Sequence, residues 1–155
     1  MGGDIAACFH SATEEDSLAA GERLGRQLTE RYPQGVVVLL VGPLGAGKTV
    51  LARGIARGMG VQEPIISPTY TIIADYRTPF GSLHHVDLYR IEGKDQVENL
   101  GLEDIMRAGG IVLIEWGEKL PHAMGGDAAL GTHVRVTIAV RAEGGRDVTI
   151  EEITG

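Results

Sequence analysis

The sequence predicts an α/β protein whose mixed β-sheet is flanked by helices and carries antiparallel hairpins. Residues 36–41 form a continuous apolar run rich in β-branched side chains, which is typical of a strand buried on both faces. A glycine-rich turn at 42–47 follows, and Leu51, Ile55 and Met59 then recur every fourth residue, as on one face of a helix. Strand, glycine loop and helix together form the first half of a βαβ unit.

The segments around this unit are assigned from periodicity and turn residues. Ser11 and Glu14 have the spacing of a capping box, and the apolar periodicity behind them predicts a helix over 14–32. Two strand-like segments, 69–76 and 82–89, are separated by the turn-rich TPFGS and predict a hairpin.

The remainder of the chain alternates helical and strand-like segments. Residues 94–108 predict one or two short helices, and 110–116 predict a second buried strand that ends on an acid. A long loop rich in Gly and Ala is expected at 117–132, and a terminal antiparallel hairpin over 133–153. Since no linker or charge run divides the chain, we expect residues 1–155 to form a single domain.

Composition excludes several classes of protein. The chain has 155 residues with 14 Lys+Arg and 21 Asp+Glu, a net charge of −7, which disfavours direct binding of nucleic acid. The single cysteine, Cys8, excludes an intramolecular disulfide and a cysteine-based zinc site. The longest apolar run is too short to span a bilayer, and the first residues lack a basic segment, so we expect no membrane association and a cytoplasmic location.

The strongest functional motif is the segment GPLGAGKT, which matches the phosphate-binding pattern G-x-x-x-x-G-K-[ST]. Its glycines allow successive backbone N–H groups to converge on an anion, and the following helix presents its positive end there. Lys48 is expected to bind phosphate, and the Thr49 hydroxyl to coordinate Mg²⁺. The predicted nucleotide-binding residues of this segment are Gly42, Pro43, Leu44, Gly45, Ala46, Gly47, Lys48, Thr49 and Val50. The predicted fold is therefore P-loop NTPase-like.

Two acids are candidates for the magnesium and water-orienting role that such a site requires. Asp87 and Glu115 each follow an apolar run and would stand at strand ends. The structural alternative is a solvated charge on a hairpin for Asp87 and a strand-end cap for Glu115.

Other residues have less specific signals. Thr69, in the segment SPTYT, is either a sensor of the terminal phosphate or part of a hydroxyl-rich strand entry. His84 and His85 are adjacent and must face opposite sides of a strand, so they cannot form a two-histidine metal site. His85 shares a face with Asp87 and is expected to support it by a hydrogen bond. Trp116 is interpreted as a core residue that could also border the nucleotide.

The segments GPLGAGKT, SPTYT, HVDLYR and IEWGEKL, in this order, resemble the TsaE (YjeE) family of small bacterial P-loop ATPases over roughly residues 11–150. The resemblance implies a protein that works with TsaD and TsaB in making N6-threonylcarbamoyladenosine in tRNA. In that family the ATP cycle is required for repeated turnover, whereas transfer to tRNA occurs on TsaD, so contact with tRNA would be indirect.

The resemblance also implies roles for individual residues. It assigns catalysis to Lys48, Asp87 and Glu115, and Mg²⁺ coordination to Thr49, Asp87 and Glu115. It brings the N-terminal segment near the nucleotide, which makes Thr13, Glu14 and the late Arg146 further predicted contacts with ATP.

Three alternatives remain open at this stage. A small-molecule kinase usually needs an arginine-bearing lid, and 117–132 contains no arginine. A GTP switch generally uses an N-K-x-D segment, which the sequence lacks. A non-enzymatic nucleotide sensor differs from the ATPase only in its rate. In the sequence, no arginine lies in the loop or immediately beside it on its approach side, and Arg53 and Arg57 fall on the following helix, directed away from the phosphates. We therefore expect slow hydrolysis that TsaD–TsaB accelerates.

Overall fold

A computed structural model describes residues 5–66 and 72–154, and within these ranges seven strands form one mixed sheet. The strands are β1 (Ala7–Ser11), β2 (Val36–Val41), β3 (Ile73–Thr78), β4 (Gly81–Asp87), β5 (Ile111–Glu115), β6 (His133–Val140) and β7 (Arg146–Ile153). The helices are α1 (Glu14–Arg31), α2 (Lys48–Gly58), α3 (Lys94–Asn99), α4 (Leu102–Arg107) and α5 (Lys119–Met124), followed by a 3-10 turn at Asp127–Leu130. Among the helices so described, none has the length and apolar character needed to cross a membrane.

The sheet has a parallel centre and antiparallel edges, in the order β1-β7-β6-β2-β5-β4-β3. The central strand β2 runs parallel to β5 and to β6, and β4 runs parallel to β5. The pairs β3–β4, β6–β7 and β1–β7 are antiparallel. The predicted fold class is confirmed, including both hairpins.

Helices cover both faces of the central strands, which explains why β2 is continuously apolar. On one face Val38 packs in a buried cluster with Leu24 of α1 and Ile55 of α2. On the other face Leu39 belongs to a second cluster that includes Leu120 of α5. Glycines bring α1 and α2 close together, since a Cβ at Gly21 would lie 2.6 Å from a backbone oxygen of α2.

The start of α1 differs from the prediction. The capping box is formed by Thr13 and Asp16, whose backbone and side-chain groups bond reciprocally, and not by Ser11 and Glu14. Ser11 is instead the last residue of β1, and its hydroxyl hydrogen-bonds Ser17 at 2.6 Å. The helix predicted over 14–32 is otherwise confirmed. It begins at Glu14 as predicted and ends at Arg31, one residue earlier than predicted.

Two further segments correct the sequence interpretation. The strand β1 was not predicted, because its five residues alternate weakly and it exists through its pairing with β7. The expected loop at 117–132 contains α5 and the 3-10 turn.

The two short helices of 94–108 are confirmed, and Gly101 separates them with a φ of 72°. The predicted strand over 69–76 is observed from Ile73 to Thr78, with 67–71 outside the described residues.

Candidate functional site

A cleft of about 490 Å³ lies at the carboxyl ends of β2, β4 and β5. Its walls come from the loop after β2, from the first turn of α2 and from the first turn of α1. Ligands bind outside the carboxyl ends of parallel strands in open α/β sheets, because the intervening loops and helix N-termini converge there. The cleft therefore has the position expected of a binding site in this fold.

The glycine loop has the backbone conformation that its sequence predicts. Gly45 and Gly47 have positive φ values of 79° and 98°. Residues that carry a Cβ atom rarely adopt this backbone conformation. Gly47 is the N-cap of α2 and has no side chain to cap its N–H groups. The positive end of α2 therefore lines the cleft with backbone donors suited to an anion.

Lys48 lies inside this loop and is only 5% exposed. Its Nζ donates hydrogen bonds to the carbonyl oxygens of Gly42 and Pro43, at 2.5 and 3.0 Å. The same nitrogen lies 3.7 Å from the centre of the Trp116 ring. Burial lowers the pKa of Lys48, while the carboxylates of Glu118, Glu115 and Asp87 oppose that shift.

Thr49 and Glu115 meet in the floor of the cleft. The Thr49 hydroxyl donates to Glu115 Oε1 at 2.8 Å, and His85 Nε2 contacts Glu115 Oε2 at 2.6 Å. Asp87 lies directly opposite Glu115 in the β4–β5 register, and its Oδ1 accepts the backbone N–H of Tyr89 at 2.8 Å. The expected supporting hydrogen bond of His85 thus goes to Glu115 rather than to Asp87, because the two strands place His85 diagonally from that glutamate.

The oxygen atoms of this group fit a hard divalent cation. Mg²⁺ prefers hydroxyl and carboxylate oxygens and usually binds one or two carboxylates together with substrate phosphates. Thr49, Asp87 and Glu115 offer such atoms side by side. Among residues 5–66 and 72–154, no group of three or more His, Cys, Asp and Glu could hold a metal alone. The arrangement fits a cation shared with a phosphate better than a site made of protein ligands only.

Arg146, the first residue of β7, contacts the glycine loop from across the sheet. Its Nε donates to the carbonyl of Ala46 at 2.9 Å and its Nη2 to that of Gly45 at 3.2 Å. Arg146, which the family resemblance implies as a contact with ATP, thus lies beside the loop in space. Arg146 is distant from the loop in sequence, and only the β2–β6–β7 order of the sheet brings it there.

The other predicted residues are distributed around the same cleft. Thr13 and Glu14 line the cleft from the start of α1. Leu44 lines it from the glycine loop and Val50 from the first turn of α2. Trp116 both packs against the second apolar cluster and lines the cleft, in agreement with its two interpretations. The residues Gly42, Pro43 and Ala46 belong to the loop itself, and Thr69 lies outside the described residues.

Sequence reasoning missed Tyr89 as a neighbour of the site. Its ring lies 5.1 Å from that of Trp116 between centroids, at an interplanar angle of 41°. Trp116 itself has a φ of 58°, a strained conformation for a large residue that turns the chain after β5. The signal available in the sequence was the position of both aromatic residues just after an acid at a strand end.

The fold and the loop define the class of this protein: it is a P-loop NTPase-like α/β protein with a seven-stranded mixed sheet in the described residues. A family model described as Threonylcarbamoyl adenosine biosynthesis protein TsaE matches residues 12–148. The chain therefore belongs to the TsaE family.

Individual relatives agree with this assignment. The tRNA threonylcarbamoyladenosine biosynthesis protein TsaE of Nostoc sp. is 39% identical over 142 residues, covering 90% of this chain and 82% of the relative. That of Treponema pallidum is 35% identical over 142 residues, covering 90% and 96%. The crystal structure of Bacillus subtilis YdiB superposes with a TM-score of 0.73 at 25% identity, covering 97% of this chain and 86% of that one.

Proposed function

We propose that this chain binds ATP with Mg²⁺ in the cleft and hydrolyses it in support of N6-threonylcarbamoyladenosine formation in tRNA, in the cytoplasm and together with TsaD and TsaB. The observation that carries the nucleotide assignment is the hydrogen bond from Thr49 to Glu115 beside the buried Lys48. The role in tRNA modification rests on membership of the TsaE family. With a net charge of −7, the chain is expected to act on tRNA only through its partners.

The loop residues would bind the phosphates of ATP. Gly45, Gly47 and the first turn of α2 line the cleft, and their backbone N–H groups would supply donors to the phosphates. The Nζ of Lys48 would exchange its bonds to the carbonyls of Gly42 and Pro43 for phosphate oxygens, which are stronger acceptors because they are charged.

The acids would hold the cation and direct water. Bound Mg²⁺ neutralises charge that develops on the phosphates. Thr49 can contribute lone pairs to the cation because its proton is donated to Glu115. Asp87, which stands opposite Glu115 in register, would bind a water ligand or orient the attacking water.

The partner proteins would accelerate this reaction. Phosphoryl transfer needs positive charge in the transition state, often from an arginine in the same chain or in a partner. Arg146 is close enough to contribute, but its Nε and Nη2 are bonded to loop carbonyls. A partner that reorients Arg146 or the loop, or that supplies its own cation, would complete the site, and hydrolysis by the isolated chain would be slow.

The direct experiment is steady-state ATPase activity of the pure protein with and without purified TsaD–TsaB, accompanied by co-purification in the presence of ATP or ADP. We expect slow hydrolysis alone, faster hydrolysis with the complex, and a yield of complex that depends on the nucleotide. Reciprocity of linkage then requires the complex to alter nucleotide affinity by the same factor. A fast isolated enzyme that ignores the complex and responds to a small-molecule acceptor would instead indicate a kinase.

A further inference from the structure

His85 is a buried histidine in direct contact with a carboxylate of the proposed site. Its side chain is 1% exposed, and its Nε2 lies 2.6 Å from Glu115 Oε2. The neighbouring His84 points to the other side of β4, where it pairs with the exposed Asp75 at 2.7 Å. One strand therefore holds two histidines that each contact an acid, one inside the protein and one at its surface.

Both oxygens of the Glu115 carboxylate are engaged. Oε1 accepts the Thr49 hydroxyl at 2.8 Å, and Oε2 accepts the Nε2–H of His85. The plane of the carboxylate is thereby defined by two donors from different elements, the start of α2 and the middle of β4. Asp87, by contrast, is held by the backbone N–H of Tyr89 in its own chain segment.

We infer that His85 is a positioning residue, which orients Glu115 so that Oε1 stays beside Thr49 and open to the cation that these two residues share. This inference rests on the proposed function, since it assigns Glu115 to the magnesium site. Outer hydrogen-bond partners of metal-binding carboxylates commonly act in this way, and their loss weakens metal affinity by about 10- to 100-fold.

A purely structural role predicts different behaviour. Removing one partner of a buried imidazole–carboxylate pair leaves the other group without its partner and is strongly destabilising. If His85 were only structural, His85→Leu would lower the thermal unfolding midpoint and leave the cation affinity of the folded protein unchanged. The distinction therefore lies in metal binding, which can be measured separately from stability and from turnover.

The experiment compares His85→Leu and His85→Gln with the wild type, and uses His84→Leu as the matched control on the opposite face of the same strand. Affinity for Mn²⁺ in the complex with ADP is measured by electron paramagnetic resonance. Affinity for ADP without a divalent cation and the thermal unfolding midpoint are measured alongside. The side-chain N–H of Gln can replace the Nε2–H donor of His85, whereas Leu cannot donate.

We expect His85→Leu to weaken Mn²⁺ binding by about 10- to 100-fold, with ADP affinity in the absence of metal unchanged. His85→Gln should recover most of the Mn²⁺ affinity, and His84→Leu should match the wild type. Wild-type Mn²⁺ affinity in His85→Leu, or an equal loss in the Gln variant, would overturn the positioning role. If the wild type itself bound no Mn²⁺ with ADP, the proposed function would fail, and the inference with it.

Discussion

The Thr49 hydroxyl donates a hydrogen bond of 2.8 Å to the carboxylate of Glu115 and so joins the first turn of α2 to the end of β5. The two residues belong to motifs far apart in sequence, and the parallel pairing of β2 with β5 brings them to one edge of the sheet. This bond leaves the lone pairs of Thr49 available to a cation. This geometry supports the proposal that magnesium and a nucleotide bind in the cleft.

The two acids should be needed for turnover but not for nucleotide binding. Asp87→Ala and Glu115→Ala each remove an oxygen ligand or a water-orienting group, so each should reduce ATP turnover at least tenfold, about 1.4 kcal/mol of barrier. ADP should still bind without metal, because the loop donors are unchanged. Asp75→Ala, on the exposed surface of β3, is the control. If only one variant loses turnover, the other acid has a structural role.

Arg146 should stabilise the loop in its binding conformation. Removing its hydrogen bonds to the carbonyls of Ala46 and Gly45 frees the loop, so Arg146→Ala should weaken ATP binding by about tenfold, near 1.4 kcal/mol. Titration calorimetry measures this change directly. The control is Arg141→Ala in the same hairpin, since Arg141 pairs with Asp147 and Glu143. Equal ATP affinity in the wild type and Arg146→Ala would contradict this role.

The single tryptophan should report the occupancy of the site. Nζ of Lys48 lies 3.7 Å from the centre of the Trp116 ring, and a bound phosphate would draw that ammonium away. We therefore expect the emission of Trp116 to change on titration with ATP and to saturate. Lys48→Met should abolish the change. An ATP-saturated wild type with unaltered emission would show that Lys48 stays on the ring.

The stability of the nucleotide-free protein should depend on pH through Lys48. Burial lowers the pKa of Lys48 below its ordinary value of 10.5, so the folded state releases this proton at a lower pH than the unfolded state. Between these two pKa values the unfolded state binds more protons, and the free energy of unfolding rises with pH. At pH values below both pKa values, Lys48 is charged in both states, and burial of this charge lowers the free energy of unfolding by its full amount.

Lys48→Met removes that cost and should raise the free energy of unfolding near neutral pH. The gain over the wild type should shrink as the pH approaches about 10, because the folded state increasingly loses the Lys48 proton and no longer buries a charge. Urea unfolding at the two pH values measures it, with the exposed Lys94→Met as the control. A gain that grows with pH would contradict the assigned direction of the pKa shift.

Elements with strong local signals were predictable from the sequence. The apolar run of β2, the glycine loop and the periodicity of α2 depend on residues close together in the chain, and the structure has all three. The same holds for the acids, because the apolar runs before Asp87 and Glu115 indicate strands that end at one edge of a parallel sheet.

Features that depend on distant pairing were not predictable in this way. β1 is short and mostly exposed, and it is paired with β7, which is distant in sequence. The partner of His85 depends on the register of β4 against β5, which a sequence pattern does not specify. Arg146 reaches the loop only through the order of three strands. The segment that contains α5 is rich in Gly and Ala, so its sequence pattern predicts a loop and not a helix.

ATP hydrolysis by Lys48→Ala tests the central claim most directly. This variant removes the only side-chain cation that the motif directs at the phosphates and leaves the backbone of the loop intact. With folding verified by circular dichroism, we expect hydrolysis to be abolished both alone and with TsaD–TsaB, while the wild type is active with Mg²⁺. Hydrolysis at the wild-type rate by the folded variant would contradict the assignment of ATP to this cleft.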